Sequence, residues 1–234
     1  MGRIVSDLLA MLMPLQFRPP VTHVYNPLVY ARRGYMRYWE KYGGGAGKII
    51  LLGMNPGPWG MVQTGVPFGD VGMVRNWLGI SAEIDLPGNP HPKRPVQGFA
   101  CPRGEVSGKR LWGWAKDRFG TPHRFFERFW VANYCPLVFM EQSGRNRTPD
   151  KLSRSESAPL FEACDDALRK TVEIIEPRHV IGIGNFAYKR AQLALGQVQV
   201  PVGRISHPSP ANPRANKGWS ALIEKELHDQ GVFV

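Results

Sequence analysis

The apolar positions of this chain fall into two patterns. Short continuous runs read as strands buried on both faces, and longer segments with recurring apolar residues read as helices. Lys48-Ile-Ile-Leu-Leu-Gly-Met54 is the clearest run. Phe129 to Tyr134 (closed by Pro136), His179 to Gly184 and Val198 to Ser206 are three further strand candidates. Between them, helices are predicted over 28–42, 107–119, 159–176 and 186–195. In the third of these Leu160, Phe161, Cys164, Leu168, Val172 and Ile175 recur at helical spacing. A last helix has Asn212 as N-cap, Pro213 as first residue and Gly231 beyond its end, with Trp219, Leu222, Ile223 and Leu227 as its apolar stripe. At the N-terminus, Leu8 to Met13 predicts a short amphipathic helix stopped by Pro14, within an extension over 1–20. That run is far short of the ~20 residues of a membrane span. The polar, basic stretch 142–156 reads as a loop. Strands alternating with helices predict an α/β fold with a mainly parallel sheet, and no linker divides the chain, so we expect one domain over 1–234.

Composition narrows the partner. With 30 Lys and Arg against 19 Asp and Glu, the net charge of +11 favours a polyanion, either nucleic acid or an anionic membrane surface. Glycine and proline number 26 and 21, too few for low-complexity disorder and enough for many turns. The three cysteines, Cys101, Cys135 and Cys164, form no C-x-x-C pair and cannot supply four ligands to an iron–sulfur cluster. A reducing compartment is expected. The six histidines are scattered without metal-ligand spacing, so no metal is expected.

Two nucleotide-binding patterns are decoys. Gly43 to Lys48 lacks the first glycine and the Ser/Thr of a phosphate loop, and it precedes a strand instead of following one. Gly182-Ile-Gly184-Asn-Phe-Ala187 matches G-x-G-x-x-A, but no acidic residue lies about 20 positions on to hold a ribose. Tight strand–helix packing is the expected reason for those glycines, and no nicotinamide cofactor is expected.

In parallel sheets the ligand crevice lies beyond the C-terminal strand ends. Those ends here carry Asn55, Asn133 and His207, two amides and an imidazole with no carboxylate among them. Amides read hydrogen-bonding ligands such as nucleobases, and an imidazole can stabilise developing charge.

These strand-end segments carry a resemblance. Gly53-Met-Asn-Pro-Gly-Pro-Trp-Gly-Met-Val-Gln-Thr-Gly-Val-Pro-Phe-Gly69 and His207-Pro-Ser-Pro-Ala-Asn-Pro-Arg-Ala-Asn-Lys-Gly-Trp219 are similar to the two signature motifs of the single-strand-selective monofunctional uracil-DNA glycosylases. Tyr25 to Leu28 and Asn133 to Leu137 resemble supporting segments of that family. Trp59 stands where Phe is expected, Ala211 where a larger residue is common, and 87–103 has no counterpart in the motifs. The resemblance implies a three-layer α/β/α sandwich with a central four-stranded sheet, and excision of uracil and some C5-oxidised uracils from DNA without a cofactor. On it we expect Asn55 to position water and His207 to stabilise the leaving base. Phe68 would stack on the base, Asn133 read it, and Gly57 and Met61 line its C5 side. Ser209, Pro210, Arg214 and Lys217 would engage DNA. The protein is expected to act as a monomer, away from membranes, in a bacterial nucleoid or a eukaryotic nucleus. The mismatch-specific uracil/thymine branch, which also carries Asn in the first motif, is the nearest alternative, and a non-catalytic nucleic-acid-binding domain the next.

Overall fold

The four strands predicted from the sequence pair into one parallel sheet in the computed structural model, which describes residues 2–233. In chain order, α1 (Gly2–Leu12), β1 (Val21–Tyr25), α2 (Pro27–Tyr30) and α3 (Arg32–Tyr42) precede β2 (Ile49–Gly53). Then come α4 (Met61–Thr64), α5 (Val71–Asn76), α6 (Val106–Phe119), α7 (Pro122–Phe126), β3 (Phe129–Asn133), β4 (Val138–Glu141) and β5 (Asn146–Arg147). The chain ends with α8 (Arg154–Ile175), β6 (His179–Ile183), α9 (Asn185–Ala194), β7 (Val202–Ile205), α10 (Pro213–Asn216) and α11 (Trp219–His228).

Sheet order is β3-β2-β6-β7, all parallel. All five residues of β2 are buried, as its unbroken apolar run requires. The chain leaves β2 for β3 on one side and later crosses to β6 and β7 on the other. Right-handed crossovers therefore place α6 and α7 over one face and α8 and α9 over the other. The packing of α6 on α7, α8 on α9 and α11 on α6 agrees, giving the expected three layers. Register leaves the strand ends nearly level: Gly53 lies opposite Asn133, and Ile183 opposite Ile205. That levelling brings the segments after β2, β3 and β7 to one edge.

The strand expected over Val198 to Ser206 begins only at Val202, and α4, α5 and α7 are short helices the sequence reading did not foresee; four further differences each have a local cause. The helix expected over 28–42 breaks at Ala31, after a turn capped by the Asn26 side chain. Helix α8 starts five residues early because Ser153 and Glu156 form a capping box, and it runs through Pro159. The terminal helix is split by Gly218, whose φ of 130° ends α10 before α11 begins. Asn212 caps α10 as expected, accepting from the Arg214 N–H. The fourth difference is a second sheet, β1-β4-β5, antiparallel and absent from the sequence reading. Its last strand and the turn at Pro149–Lys151 lie inside the stretch expected to be loop.

Helix α1 packs on α8, burying Ile4, Val5, Leu8 and Leu12, while Lys170 reaches Asp7 at 2.8 Å. Segment 87–103 forms a strap fixed by two buried side chains. Gln63 accepts from the Gln97 and Gly98 N–H groups and donates to the Pro58 and Pro95 carbonyls. His91 bonds Glu141 O and the Lys93 N–H. At Gly182 a Cβ would lie 2.3 Å from Tyr188 N, so close strand–helix packing explains the first glycine of the dinucleotide-like pattern. No helix among the described residues is long and apolar enough to cross a membrane.

Candidate active site

A cavity of about 360 Å³ opens at the C-terminal edge of the parallel sheet. Asn55, Gly57, Phe68, Asn133, His207 and Ser209 line it, so six sequence-predicted residues from three strand ends meet there. A smaller apolar cavity of about 60 Å³ lies beneath α1 and touches Asn133 from the core side, but few polar groups converge on it. We assign the chemistry to the larger one.

Each side chain is held by a distinct device. Asn55 donates from Nδ2 to Leu137 O at 3.0 Å, and among the described residues no donor reaches its Oδ1. The amide is thus locked with an acceptor to spare. Phe68 is buried and has φ 53°, a left-handed conformation that costs a bulky residue free energy. Its carbonyl accepts from Trp112 Nε1 at 3.0 Å and from the Asp70 N–H at 2.8 Å, which fixes the strained residue. Gly53 makes room for the ring: a Cβ there would lie 2.6 Å from both Phe68 Cε2 and Asn133 Oδ1.

His207 accepts at Nδ1 from the Ser209 N–H at 3.0 Å. That contact leaves the proton of a neutral imidazole on Nε2. Burial pulls the histidine down to about 4, so near neutral pH it is an uncharged donor. Gly184 backs the ring, and Asn212 Nδ2 holds the His207 carbonyl at 2.9 Å. The Phe68 and His207 rings stand 6.4 Å apart, centroid to centroid, across the cavity.

Met61 is not on the cavity surface. It lies a layer deeper, with Sδ 3.4 Å from Asn133 Nδ2, so it supports the amide. Pro210, Arg214 and Lys217 are exposed on the rim. Arg214 is engaged by Glu226 at 3.2 Å, and Glu226 also holds the Ser206 N–H and hydroxyl. Arg110 braces the rim by donating to Pro208 O and Asn216 Oδ1. The guanidinium groups of Arg94 and Arg103 lie 5.3 and 4.6 Å from the Trp59 ring.

Sequence reasoning missed six lining residues: Met54 and Pro56 beside Asn55, Ser107 at the start of α6, and three that carry more chemistry. Asn146 and Thr148 come from the unpredicted second sheet and the turn after it, and Asn146 Oδ1 is buried without a partner. The third is Glu105, at the start of α6. The strand ends carry no carboxylate, but the folded cavity does. Its Oε2 is out of reach of solvent and lacks a hydrogen bond. Burial, reinforced by the Asp70 carboxylate, pushes this glutamate up to about 7. One signal was available: Glu occupies the N-cap position of α6, where Ser, Thr, Asp or Asn is preferred, and its side chain makes no cap. Among the described residues no three or more His, Cys, Asp or Glu side chains gather to hold a metal ion.

The chain is similar to known proteins over nearly its whole length. Residues 40–227 match the family described as the Uracil DNA glycosylase superfamily. A single-strand selective monofunctional uracil-DNA glycosylase from Rattus norvegicus is 45% identical over 226 residues, covering 96% of this chain and 81% of the rat protein. Its counterpart in Bos taurus is 44% identical over 221 residues, covering 94% of this chain and 81% of the bovine one. The crystal structure of wild-type SMUG2 from Pedobacter heparinus shares the fold, with a TM-score of 0.68 over 97% of both chains at 17% identity. Similar in sequence along nearly its whole length, and carrying both signature segments at one sheet edge, the chain belongs to the uracil DNA glycosylase superfamily and within it to the single-strand selective monofunctional uracil-DNA glycosylases.

Proposed function

We propose that this protein is a monofunctional DNA glycosylase that flips uracil, and some C5-oxidised uracils, out of DNA and hydrolyses the N-glycosidic bond, leaving an abasic site. The observation that carries the reading is the convergence on one cavity of two fixed amides, a strained aromatic ring and a neutral imidazole donor. Water is the only co-reactant the reading calls for. The chain acts as one domain and as a monomer on DNA.

Flipping costs a few kcal/mol, least for unpaired bases. The proline-stiffened rim from Pro208 to Lys217 is suited to wedge the stack, with Ser209, Pro210, Arg214 and Lys217 against the backbone. The extruded base stacks on Phe68. Asn133 accepts from uracil N3–H and donates to O4. Cytosine presents the reverse at both atoms, so a held amide leaves two unpaired groups, the kind of mismatch that discriminates strongly. Gly57 faces the C5 position, with Met61 behind the reading amide.

Cleavage places positive charge on the sugar and negative charge on the base. His207 Nε2 donates to uracil O2 as that charge grows, a contribution of ~3–4 kcal/mol for one well-aimed donor. Asn55 Oδ1 accepts from the attacking water and orients it.

The test is direct. Incubation with a uracil-containing oligonucleotide, without added cofactor, should produce alkali-labile abasic sites. A non-catalytic DNA-binding domain would bind the oligonucleotide and leave it intact.

A further inference from the structure

Hydrolysis of a glycosidic bond releases a proton from the attacking water, and the residues assigned so far have nowhere to put it. An amide such as Asn55 is a poor base. The proton of neutral His207 already occupies Nε2, and Nδ1 is taken by the Ser209 N–H. Of the residues lining the cavity, Glu105 is the one remaining group able to accept.

Its surroundings are built to hold a carboxyl there. A Cβ at Gly57 would lie 2.7 Å from Glu105 Oε1. At Gly60 it would lie 2.1 Å from Oε2, and at Gly108 3.0 Å from Oε2. Three glycines from two segments therefore clear a cradle around one carboxyl. The backbone is fixed as well: the Glu105 N–H donates to Asp70 Oδ2 at 2.9 Å, while Asp70 Oδ1 caps α5. The side chain makes no bond to its own helix start. Instead it reaches the cavity, where Oε2 is enclosed without a partner.

We propose that Glu105 is a further catalytic residue, the base that takes the proton of the water held by Asn55. This rests on the glycosylase reading above. The water oxygen bonds to the sugar C1′ as the C1′–N1 bond breaks, and the electron pair of that bond leaves with uracil. One water proton passes to Oε1 of the Glu105 carboxylate, the oxygen on the side of the cavity-lining Gly57, while Oε2 stays enclosed. The proton is returned to the departing uracil anion or to solvent, so the enzyme ends as it began. Charged and titratable groups around the carboxyl are few. Asp70 faces it from the start of α5, Lys109 and Arg103 flank it along its own segment, and His207 stands across the cavity, whereas the 57–60 segment supplies none. The active form is the carboxylate, and burial beside Asp70 places its titration at about 7. The rate should therefore climb as pH rises from 6 to 8.

The experiment is single-turnover uracil release by wild type and Glu105→Gln across that range, with thermal unfolding of both. Glutamine fills the same cradle and cannot accept the proton. At pH 8 the variant should be slower by ~10²-fold, and the climb with pH should vanish. A folded Glu105→Gln protein with the wild-type rate, or with the same climb, overturns the assignment. Should the variant fail to fold, the wild-type profile decides, because a rate flat between pH 6 and 8 also overturns it. A wild type that releases no uracil at any pH would refute the glycosylase reading itself, an outcome distinct from an active wild type matched by its variant.

Discussion

The segments after β2 and after β7 face each other across the cavity and are built on opposite plans. Residues 60–70 are buried throughout, tied by the four bonds of Gln63 and by the fixed carbonyl of Phe68. The segment after β7 is exposed at Pro210, Arg214 and Lys217 and is held mainly by short-range bonds among its own residues. Yet burial acts on one titratable group from each side with the same result. Glu105, on the wall of the first segment, is pushed up to about 7, and His207, opening the second, is pulled down to about 4. Both are driven toward their neutral forms. A fixed wall suits a reaction that tolerates little misplacement, and an accessible rim suits a partner whose sequence varies.

The strongest way to break this contrast is to remove the chemistry from each wall. Asn55→Ala and His207→Ala should each lower single-turnover uracil release by ~10²-fold or more while DNA binding, followed by fluorescence anisotropy, stays near wild type. Comparable losses in binding would show that the walls do not divide chemistry from grip. Asn133→Asp should abolish activity or weaken discrimination against cytosine, because a carboxylate accepts at both oxygens and cannot donate to O4. Unchanged selectivity on paired uracil and cytosine oligonucleotides would take Asn133 out of base reading.

Stability separates the two buried groups. Glu105 has its folded value raised from 4.5, so its contribution is full at low pH and is lost as pH rises through about 7. His207 has its folded value depressed from 6.5, so its contribution is full above that and is lost as pH falls toward 4. Melting temperatures should show Glu105→Gln gaining on wild type between pH 5 and 8; a constant offset would deny the buried titration. The smallest effects belong to the rim. Lys217→Ala should weaken DNA binding across sequences and lower the salt slope by about one. Arg214→Ala should lower it less, since Glu226 already engages that guanidinium. Equal slopes for both variants would mean that the ion pair opens on DNA.

Legibility followed the same division. The parallel sheet was readable because β2 and β6 are buried runs with no competing period, and Asn55, Asn133 and His207 were readable because strand ends of such sheets point to one crevice. The second sheet was not, since Val21–Tyr25 is short and half-exposed and β5 is two residues long. Glu105 escaped because its importance lies in what surrounds it: Gly57, Gly60 and Gly108 meet around its carboxyl only once the chain has folded. The state of His207 was hidden for the same reason, being set by burial and by the Ser209 N–H.

The glycine cradle also shapes how the gene can vary. Glycine to alanine adds one methyl group and is among the mildest changes a coding sequence can acquire on an open surface. At Gly53, Gly57, Gly60 and Gly108 that methyl would meet an atom at 2.1–2.7 Å, in each case belonging to Asn133, Phe68 or Glu105. The mildest missense change therefore reaches into the active site at four codons, one of them, Gly108, outside any stretch a reader of strand ends would mark.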